Sequence, residues 1–219
     1  MISKKTRLVC ALLACAGLLV TAVSYPLLPD QIPTNWQVDG TVAYSPKSQI
    51  WLIYGLLPLF TVLFDVLPRI DPRKNHYRKF APYYDSFCIF LEIFCLIILG
   101  IILSESFYPG RLSVGRIVIS LLGILFMWIG NMMPKLKSNY YMGIKTPWTL
   151  SDDDIWLRTH RLGGKTMFLA GAMLLIFGRL LATKGGMPIA LTGILLAAFL
   201  PALMSYVWWR QKQSGTDGR

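Results

Sequence analysis

The chain has 219 residues, of which 54% are hydrophobic and only 15% are charged, and its net charge is +11. A chain this apolar is not an ordinary soluble domain. A nucleic-acid-binding protein would need a soluble basic face, and the sequence offers none, so nucleic acid is excluded as a partner. The composition therefore predicts an all-α integral membrane protein.

Six apolar stretches are each about as long as a helix that crosses a bilayer core of ~30 Å, which needs ~17–25 residues. They cover residues 8–28, 50–67, 83–103, 117–133, 166–182 and 187–209. The first begins after Lys4, Lys5 and Arg7, as a signal peptide does, but its apolar run continues past Cys15 to a full span. We therefore predict six transmembrane helices.

The basic residues are distributed unevenly between the segments that separate these spans. If the N-terminus lies inside, 17 of the 22 Lys and Arg fall in the inner segments 1–7, 69–82, 134–165 and 210–219. Basic residues accumulate on the cytoplasmic side of membrane proteins, so we predict that both termini are cytoplasmic. The positive inner surface would also attract anionic lipids.

The chain divides into two predicted modules. Residues 1–68 form an N-terminal module with two spans and the extracytoplasmic loop 29–49, and residues 69–219 form the second module with four spans. In the outer loop three prolines exclude a continuous helix, and Asp39-Gly40 predicts a turn. Two interpretations remain open: an ordered loop lying on the membrane, with Trp36 and Tyr44 at the interface, or a contact surface for a partner arriving from outside.

All four cysteines lie within predicted spans. Cys10 and Cys15 are in the first span, and Cys88 and Cys95 are in the third. At this depth they are interpreted as small apolar side chains and not as disulfides or metal ligands. The sequence predicts no metal site and no cofactor.

Glu92 lies near the middle of the third span. An ionised acid at the bilayer centre costs roughly 2.5 kcal/mol or more. No basic residue is predicted at the same depth, so Glu92 should be protonated or face a polar cavity. The sequence leaves open a neutral acid that is hydrogen-bonded to a neighbouring helix and a proton or ligand site.

The longest polar interval, residues 131–165, is predicted to be a structured cytoplasmic loop with a short capped helix between spans four and five. Ser151 is the expected N-cap, and Asp154 is expected to close the capping box. Acids in the first turn suit the helix dipole, and Asp154 can pair with Arg158. Capping therefore accounts for the three consecutive aspartates better than a metal site does.

The predicted helix places Asp152, Trp156 and His160 on one face. One interpretation is packing against the inner mouth of the helix bundle. Another makes His160 a general base oriented by Asp152 or Thr159, although no recognisable nucleophile accompanies it. An enzyme is thus the less expected outcome.

The motif Asn-x-x-Pro-Lys-x-Lys-x-Asn-Tyr-Tyr-x-Gly-Ile-Lys-Thr-Pro-Trp-Thr-Leu, followed by Trp-x-x-Thr-His-Arg-x-Gly-Gly, resembles the signature of the SdpI family. These are multi-span bacterial membrane proteins named for an immunity protein. The matching residues are Asn131, Pro134, Asn139, Gly143, Lys145, Thr146, Pro147, Trp148, Thr149, Trp156, Thr159, His160 and Arg161. The loop 29–49 resembles the N-terminal companion module of that family.

The sequence departs from the family pattern at two positions. Lys145 stands where Arg is usual, which keeps the charge but loses bidentate recognition, and Asn35 stands where the companion module usually has His. The resemblance implies a protein of the bacterial cell membrane that gives immunity to a secreted, membrane-active peptide toxin. It also implies possible signalling through recruitment of a cytoplasmic repressor.

Two alternatives to immunity stay open. One is a small-solute or proton-coupled transporter using Glu92, although the halves of the chain show no internal repeat of the kind many transporters have. The other is a membrane-embedded enzyme with a site at the inner surface around His160, Asn131, Asn139 and Lys145.

Overall fold

The computed structural model describes residues 2–36, 41–181 and 186–216. Within them are seven α-helices: α1 Lys4–Ser24, α2 Ile50–Ile70, α3 Ala81–Phe107, α4 Val114–Met132, α5 Pro147–Ser151, α6 Asp153–Leu181 and α7 Gly186–Thr216. All except α5 are long and apolar enough to cross a membrane. The prediction of a helical, multi-pass membrane protein with six spans is confirmed.

The chain packs as two compact units. Unit 1 comprises Met1–Arg69 and Ala81–Val118, and unit 2 comprises Ile70–Phe80 and Ile119–Arg219. The short segment after α2 therefore packs with the C-terminal part of the chain. These packing units are not the two sequence modules that meet at residue 68, and the division into those modules stays a prediction.

In unit 1 the loop after α1 forms a small antiparallel sheet that the sequence did not predict. Strand β1 Gln31–Trp36 pairs with β2 Val42–Pro46, and the register is irregular between Pro33 and Asn35. Ile32 is fully buried and packs with Leu99 and Ile102 of α3. The absence of a continuous helix here is as predicted, whereas the Asp39-Gly40 turn lies outside the described residues.

Polar contacts hold the ends of the unit 1 helices. Arg7 of α1 pairs with Asp65 of α2 at 2.8 Å, and Asp65 also pairs with Arg69. After α3, the buried carboxylate of Glu105 accepts the N–H groups of Gly110 at 2.9 Å and Leu112 at 2.7 Å. Glu105 thereby closes the α3–α4 loop.

Proline in two of the spanning helices leaves a carbonyl without its helical donor, and a neighbouring hydroxyl replaces it. In unit 1, Pro68 leaves the carbonyl of Phe64 free, and the Tyr84 hydroxyl donates to that oxygen at 2.8 Å. In unit 2, Pro201 leaves the carbonyl of Ala197 free, and the Thr166 hydroxyl donates to it at 2.8 Å.

In unit 2, glycines bring α4 and α6 into backbone contact. A Cβ atom on Gly123 would lie 2.9 Å from the oxygen of Gly171, and one on Gly130 would lie 2.7 Å from the oxygen of Gly164. Gly164 therefore sits inside a continuous α6 and makes a helix contact.

The start of α6 corrects the predicted capping. Ser151 is the last residue of α5, and its hydroxyl donates to the carbonyl of Trp148. Asp152 performs the capping instead, since one of its oxygens accepts the N–H groups of Asp154 at 2.8 Å and Ile155 at 3.2 Å. The Asp154–Arg158 pair is confirmed at 3.0 Å.

Candidate functional site

His160 lies at the centre of the signature segment in unit 2. Its side chain is 0% exposed, its Nε2 is 3.0 Å from the N–H nitrogen of Ile144, and its Nδ1 is 2.8 Å from the carbonyl oxygen of Trp156. Because Nε2 accepts from an N–H, the ring proton is on Nδ1, which donates to Trp156. The ring is therefore a neutral imidazole with both nitrogens bonded to the backbone.

This arrangement leaves His160 without the features of a general base. The alternative interpretation, in which Asp152 or Thr159 orients His160, does not agree with the structure, because both partners of the ring are main-chain groups. The ring also stacks on Trp156, with centroids 3.9 Å apart and planes at 18°. A base needs a nitrogen within reach of substrate, and this ring is enclosed on its hydrogen-bonding edges.

The loop before α5 fits closely around the imidazole. Gly143 has φ +100°, and a Cβ atom there would lie 2.2 Å from His160 Nε2. One helical turn earlier on α6, the indole N–H of Trp156 donates to the carbonyl of Leu136 at 2.9 Å. His160 and Trp156 thus fasten residues 136–144 to α6.

Asn139 organises the turn at the centre of that loop. Its side-chain oxygen accepts the N–H groups of Tyr141 at 3.0 Å and Met142 at 2.7 Å, and its amide donates to the carbonyl of Lys137. The Tyr77 hydroxyl lies 3.3 Å from the same oxygen. Asn139 is fully buried, so its predicted importance has a structural basis in turn formation.

Asp71, which the sequence analysis did not select, is the charged centre of this network. It is 1% exposed and accepts from the N–H of Tyr140 at 2.9 Å, the N–H of Arg73 at 2.7 Å and the hydroxyl of Tyr77 at 3.1 Å. Burial, and then the Asp71 charge, raise the pKa of Tyr77 above its usual range. Tyr77 therefore remains a neutral donor.

The segment after α2 also contributes two basic side chains to the loop. Arg73 donates to the carbonyl of Leu150 at 2.7 Å and lies over the ring of Tyr140 at 5.3 Å. His76 Nδ1 is 2.6 Å from the carbonyl oxygen of Ser138. The sequence signal that could have identified this segment as part of the site is Asp71. It is the single acid in a basic segment and is followed directly by proline.

Helix α5 is a short capped helix that the sequence analysis did not predict, whereas the short helix predicted from Ser151 is the first part of the continuous helix α6. Thr146 and Thr149 form a reciprocal capping box, and Pro147 occupies the first turn, where it begins the helix. The Thr146 hydroxyl is 3.0 Å from that of Ser205, and Trp148 packs on Tyr206 with centroids 4.9 Å apart. These contacts attach α5 to α7.

A further contact ties α7 to the start of α6. Lys212 pairs with Asp152 at 2.5 Å, and this hydrogen bond is the main reason that the pKa of Asp152 is lowered from its ordinary value. Asp152 is thus both a helix cap and the partner of a cation.

The predicted signature residues differ in their burial. Asn139, Thr149, Trp156, Thr159 and His160 are buried, and Pro134 packs on Gly164. The Thr159 hydroxyl has no hydrogen-bond partner among the described residues. Thr146 and Trp148 are half-buried, and the other signature residues are exposed. We use the term exposed signature residues for the polar and cationic members of the exposed set together with two neighbouring tyrosines: Asn131, Tyr140, Tyr141, Lys145 and Arg161.

The arrangement offers scaffolding and a surface, and the described residues contain no group of three or more His, Cys, Asp or Glu able to hold a metal ion. The exposed signature residues combine tyrosine rings with cationic groups. Lys145 is placed by donating to the carbonyl of Tyr141 at 3.3 Å. Such a surface suits recognition of another macromolecule.

Comparison with known proteins confirms the predicted resemblance. The model of the SdpI/YfhL protein family matches residues 135–205, and a domain of unknown function, DUF1648, matches residues 12–57. The chain is 22% identical to Immunity protein SdpI of Bacillus subtilis (strain 168) over 208 residues, which cover 94% of this chain and 97% of that protein. No solved structure matches.

Proposed function

We propose that this protein, which resembles an SdpI immunity protein along nearly its whole length, protects a bacterial cell against a secreted, membrane-active peptide. The observation that carries the proposal is the extent of that similarity, which covers 94% of this chain and 97% of the relative. The proposed location is the cytoplasmic membrane of the bacterium, with both termini inside.

The outer contact surface in this proposal is strand β2. Its partner strand β1 is anchored through Ile32, which is fully buried against α3, so the sheet has a firm base. On β2, Ala43 and Tyr44 are exposed, and Tyr44 is 52% exposed. A two-stranded sheet has free edges, and an extended or amphipathic peptide can bind along such an edge.

The inner contact surface in this proposal consists of the exposed signature residues. Asn139, Asp71 and His160 hold the loop that carries Tyr140, Tyr141 and Lys145, whereas Asn131 lies in α4 and Arg161 in α6. Aromatic and cationic side chains on this ordered loop and on these helices favour a cytoplasmic protein with an acidic face, such as a repressor held at the membrane. Anionic lipid headgroups compete for the same cations.

Protection is tested by producing the chain in a sensitive bacterium and challenging it with a panel of membrane-active peptides. We expect survival with the wild-type chain and its loss with Tyr44→Ser. Tyr108→Ser is the matched control, because Tyr108 is also an exposed tyrosine of unit 1 but lies outside the sheet. Unchanged killing by every peptide, with the protein present in the membrane, would refute the proposal.

The inner surface is tested separately with the double variant Lys145→Ala, Arg161→Ala. We expect it to keep protection and to lose membrane recruitment of the cytoplasmic partner, measured by fractionation of cells after exposure to the peptide. Recruitment at the wild-type level would rule out these two cations as the contact.

A further inference from the structure

Glu92 is a fully enclosed carboxyl group in unit 1 that the proposed function does not use. It lies in α3 with 0% exposure, and its Oε1 is 2.7 Å from the Thr61 hydroxyl oxygen of α2. Its Oε2 has no hydrogen-bond partner within the described ranges. A carboxylate in such a place would have at most one donor for its charge.

The Thr61 hydroxyl lies within hydrogen-bond distance of two oxygens. The Thr61 oxygen lies 3.2 Å from the carbonyl of Leu57, four residues earlier in α2, as well as 2.7 Å from Glu92. A hydroxyl has one hydrogen, so it can donate a full hydrogen bond to only one of these acceptors. Both contacts are full hydrogen bonds when Glu92 carries a proton and donates it to Thr61.

The surrounding charges do not favour ionisation of Glu92. Among the described residues, the thiols of Cys10 on α1 and of Cys88 and Cys95 on α3 are ionisable groups near Glu92, and a thiol cannot be a cation. Arg7 of α1 and Arg69 of α2 are both paired with Asp65.

The remaining ionisable groups on these three helices are engaged or lie elsewhere. Asp85 accepts the N–H of Ser3, and Glu105 closes the α3–α4 loop. Of the others, Tyr54 is half-buried, and Tyr84 is buried and donates to the carbonyl of Phe64. The exposed ones are Lys4, Lys5, Cys15 and Tyr83.

We propose that Glu92 is a proton-binding site: its neutral acid form donates from Oε1 to the Thr61 hydroxyl, which in turn donates to the carbonyl of Leu57. Loss of the proton leaves a carboxylate, and the Thr61 hydroxyl then turns from Leu57 to Glu92. The ligand of the site is thus H⁺, and its binding and release change a contact between α2 and α3. This inference is independent of the immunity proposal.

Glu105 provides an internal contrast on the same helix. It too is buried, but its two oxygens accept backbone N–H groups at 2.7 and 2.9 Å. Glu105 therefore has the two backbone donors that Glu92 lacks in the described part of the chain, which makes it the matched control for Glu92 on the same helix.

The test is infrared spectroscopy of the full chain in lipid vesicles at neutral pH. We expect the C=O stretching band of a protonated carboxylic acid in the wild type, its loss in Glu92→Gln and its persistence in Glu105→Gln. Thr61→Val should shift the band, because the acid loses its hydrogen-bond acceptor. Raising the pH should convert it into carboxylate bands.

A wild-type spectrum without the acid band at neutral pH would overturn the proposal, and so would a band that survives in Glu92→Gln. The wild-type spectrum needs no substitution, so a missing acid band overturns the proposal even if a variant does not fold. A Thr61→Val spectrum identical to that of the wild type would overturn the assigned hydrogen bond.

Discussion

Gly143 and His160 are in close contact, and the loop of residues 136–144 depends on that contact. The glycine has φ +100°, and its missing Cβ leaves room for the imidazole nitrogen that accepts from Ile144. A buried ring that loses one backbone partner leaves a polar atom unsatisfied, which costs about 1–3 kcal/mol. The loop and α6 are therefore coupled through a single side chain.

We expect Gly143→Ala to lower the free energy of unfolding by about 3 kcal/mol, since the added methyl both strains the backbone and displaces His160. Gly110→Ala is the matched control. Gly110 also has positive φ, +77°, but no atom lies within 4 Å of its Cβ position. Gly110→Ala should lower the free energy of unfolding by about 1 kcal/mol, because only the backbone conformation is strained. Unfolding in mixed micelles followed by circular dichroism measures both, and equal losses would contradict the contact.

At the scale of elements, proline and a hydroxyl on a neighbouring helix act as a pair. Pro68 with Tyr84 and Pro201 with Thr166 each replace a helical hydrogen bond with one between helices. At Pro68 and Pro201, a hydrogen bond within the helix is thus replaced by one to the neighbouring helix.

This pairing predicts that Tyr84→Phe costs about 1 kcal/mol of stability in the wild-type chain, because the Phe64 carbonyl loses its donor. The same change should cost less in a Pro68→Ala background, where the residue 68 N–H can serve that carbonyl. A double-mutant cycle on unfolding free energies gives the coupling. Equal costs in the two backgrounds would show that the tyrosine and the proline act independently.

Predictability from sequence also differs by element. The six spans were predictable because a long apolar run has few other solutions. The hairpin was missed because its buried contact, Ile32, is isolated among prolines and polar residues, and its partners Leu99 and Ile102 lie far along the chain. The helix start was displaced because Ser151 and Asp152 are both good caps, and α5 occupies the first.

Sequence analysis selected some residues of this network but not their distant contacts. His160, Asn139 and Gly143 were selected, but the distant residues that contact this turn were not. The Tyr77 hydroxyl lies against Asn139, and Asp71 accepts from the N–H of Tyr140 in the same turn. Tyr77 is 62 residues from Asn139, and Asp71 is 69 residues from Tyr140. The spacing of residues along a helix predicts only contacts between near neighbours in sequence, so it could not predict these long-range contacts.

At the scale of the whole molecule, the distribution of basic residues predicts the orientation of the chain. We expect a cysteine at position 44 to react with a membrane-impermeant maleimide on intact cells, and a cysteine at position 140 to react only after permeabilisation. Tyr44 and Tyr140 are both exposed, so the two sites are matched. The four native cysteines are replaced by alanine first, and that chain should not label. Labelling of position 140 on intact cells would reverse the topology.

The network between residues 71–77 and 138–160 has a consequence for synthesis. Its first part is translated before α3 and α4, and its second part follows them. Asp71 and Tyr77 therefore gain their partners in residues 138–160 only after α3 and α4 have been synthesised. A chain whose synthesis stops after α3 can still form the Asp71–Tyr77 hydrogen bond, but it lacks the contacts to Asn139 and Tyr140, so these are late contacts.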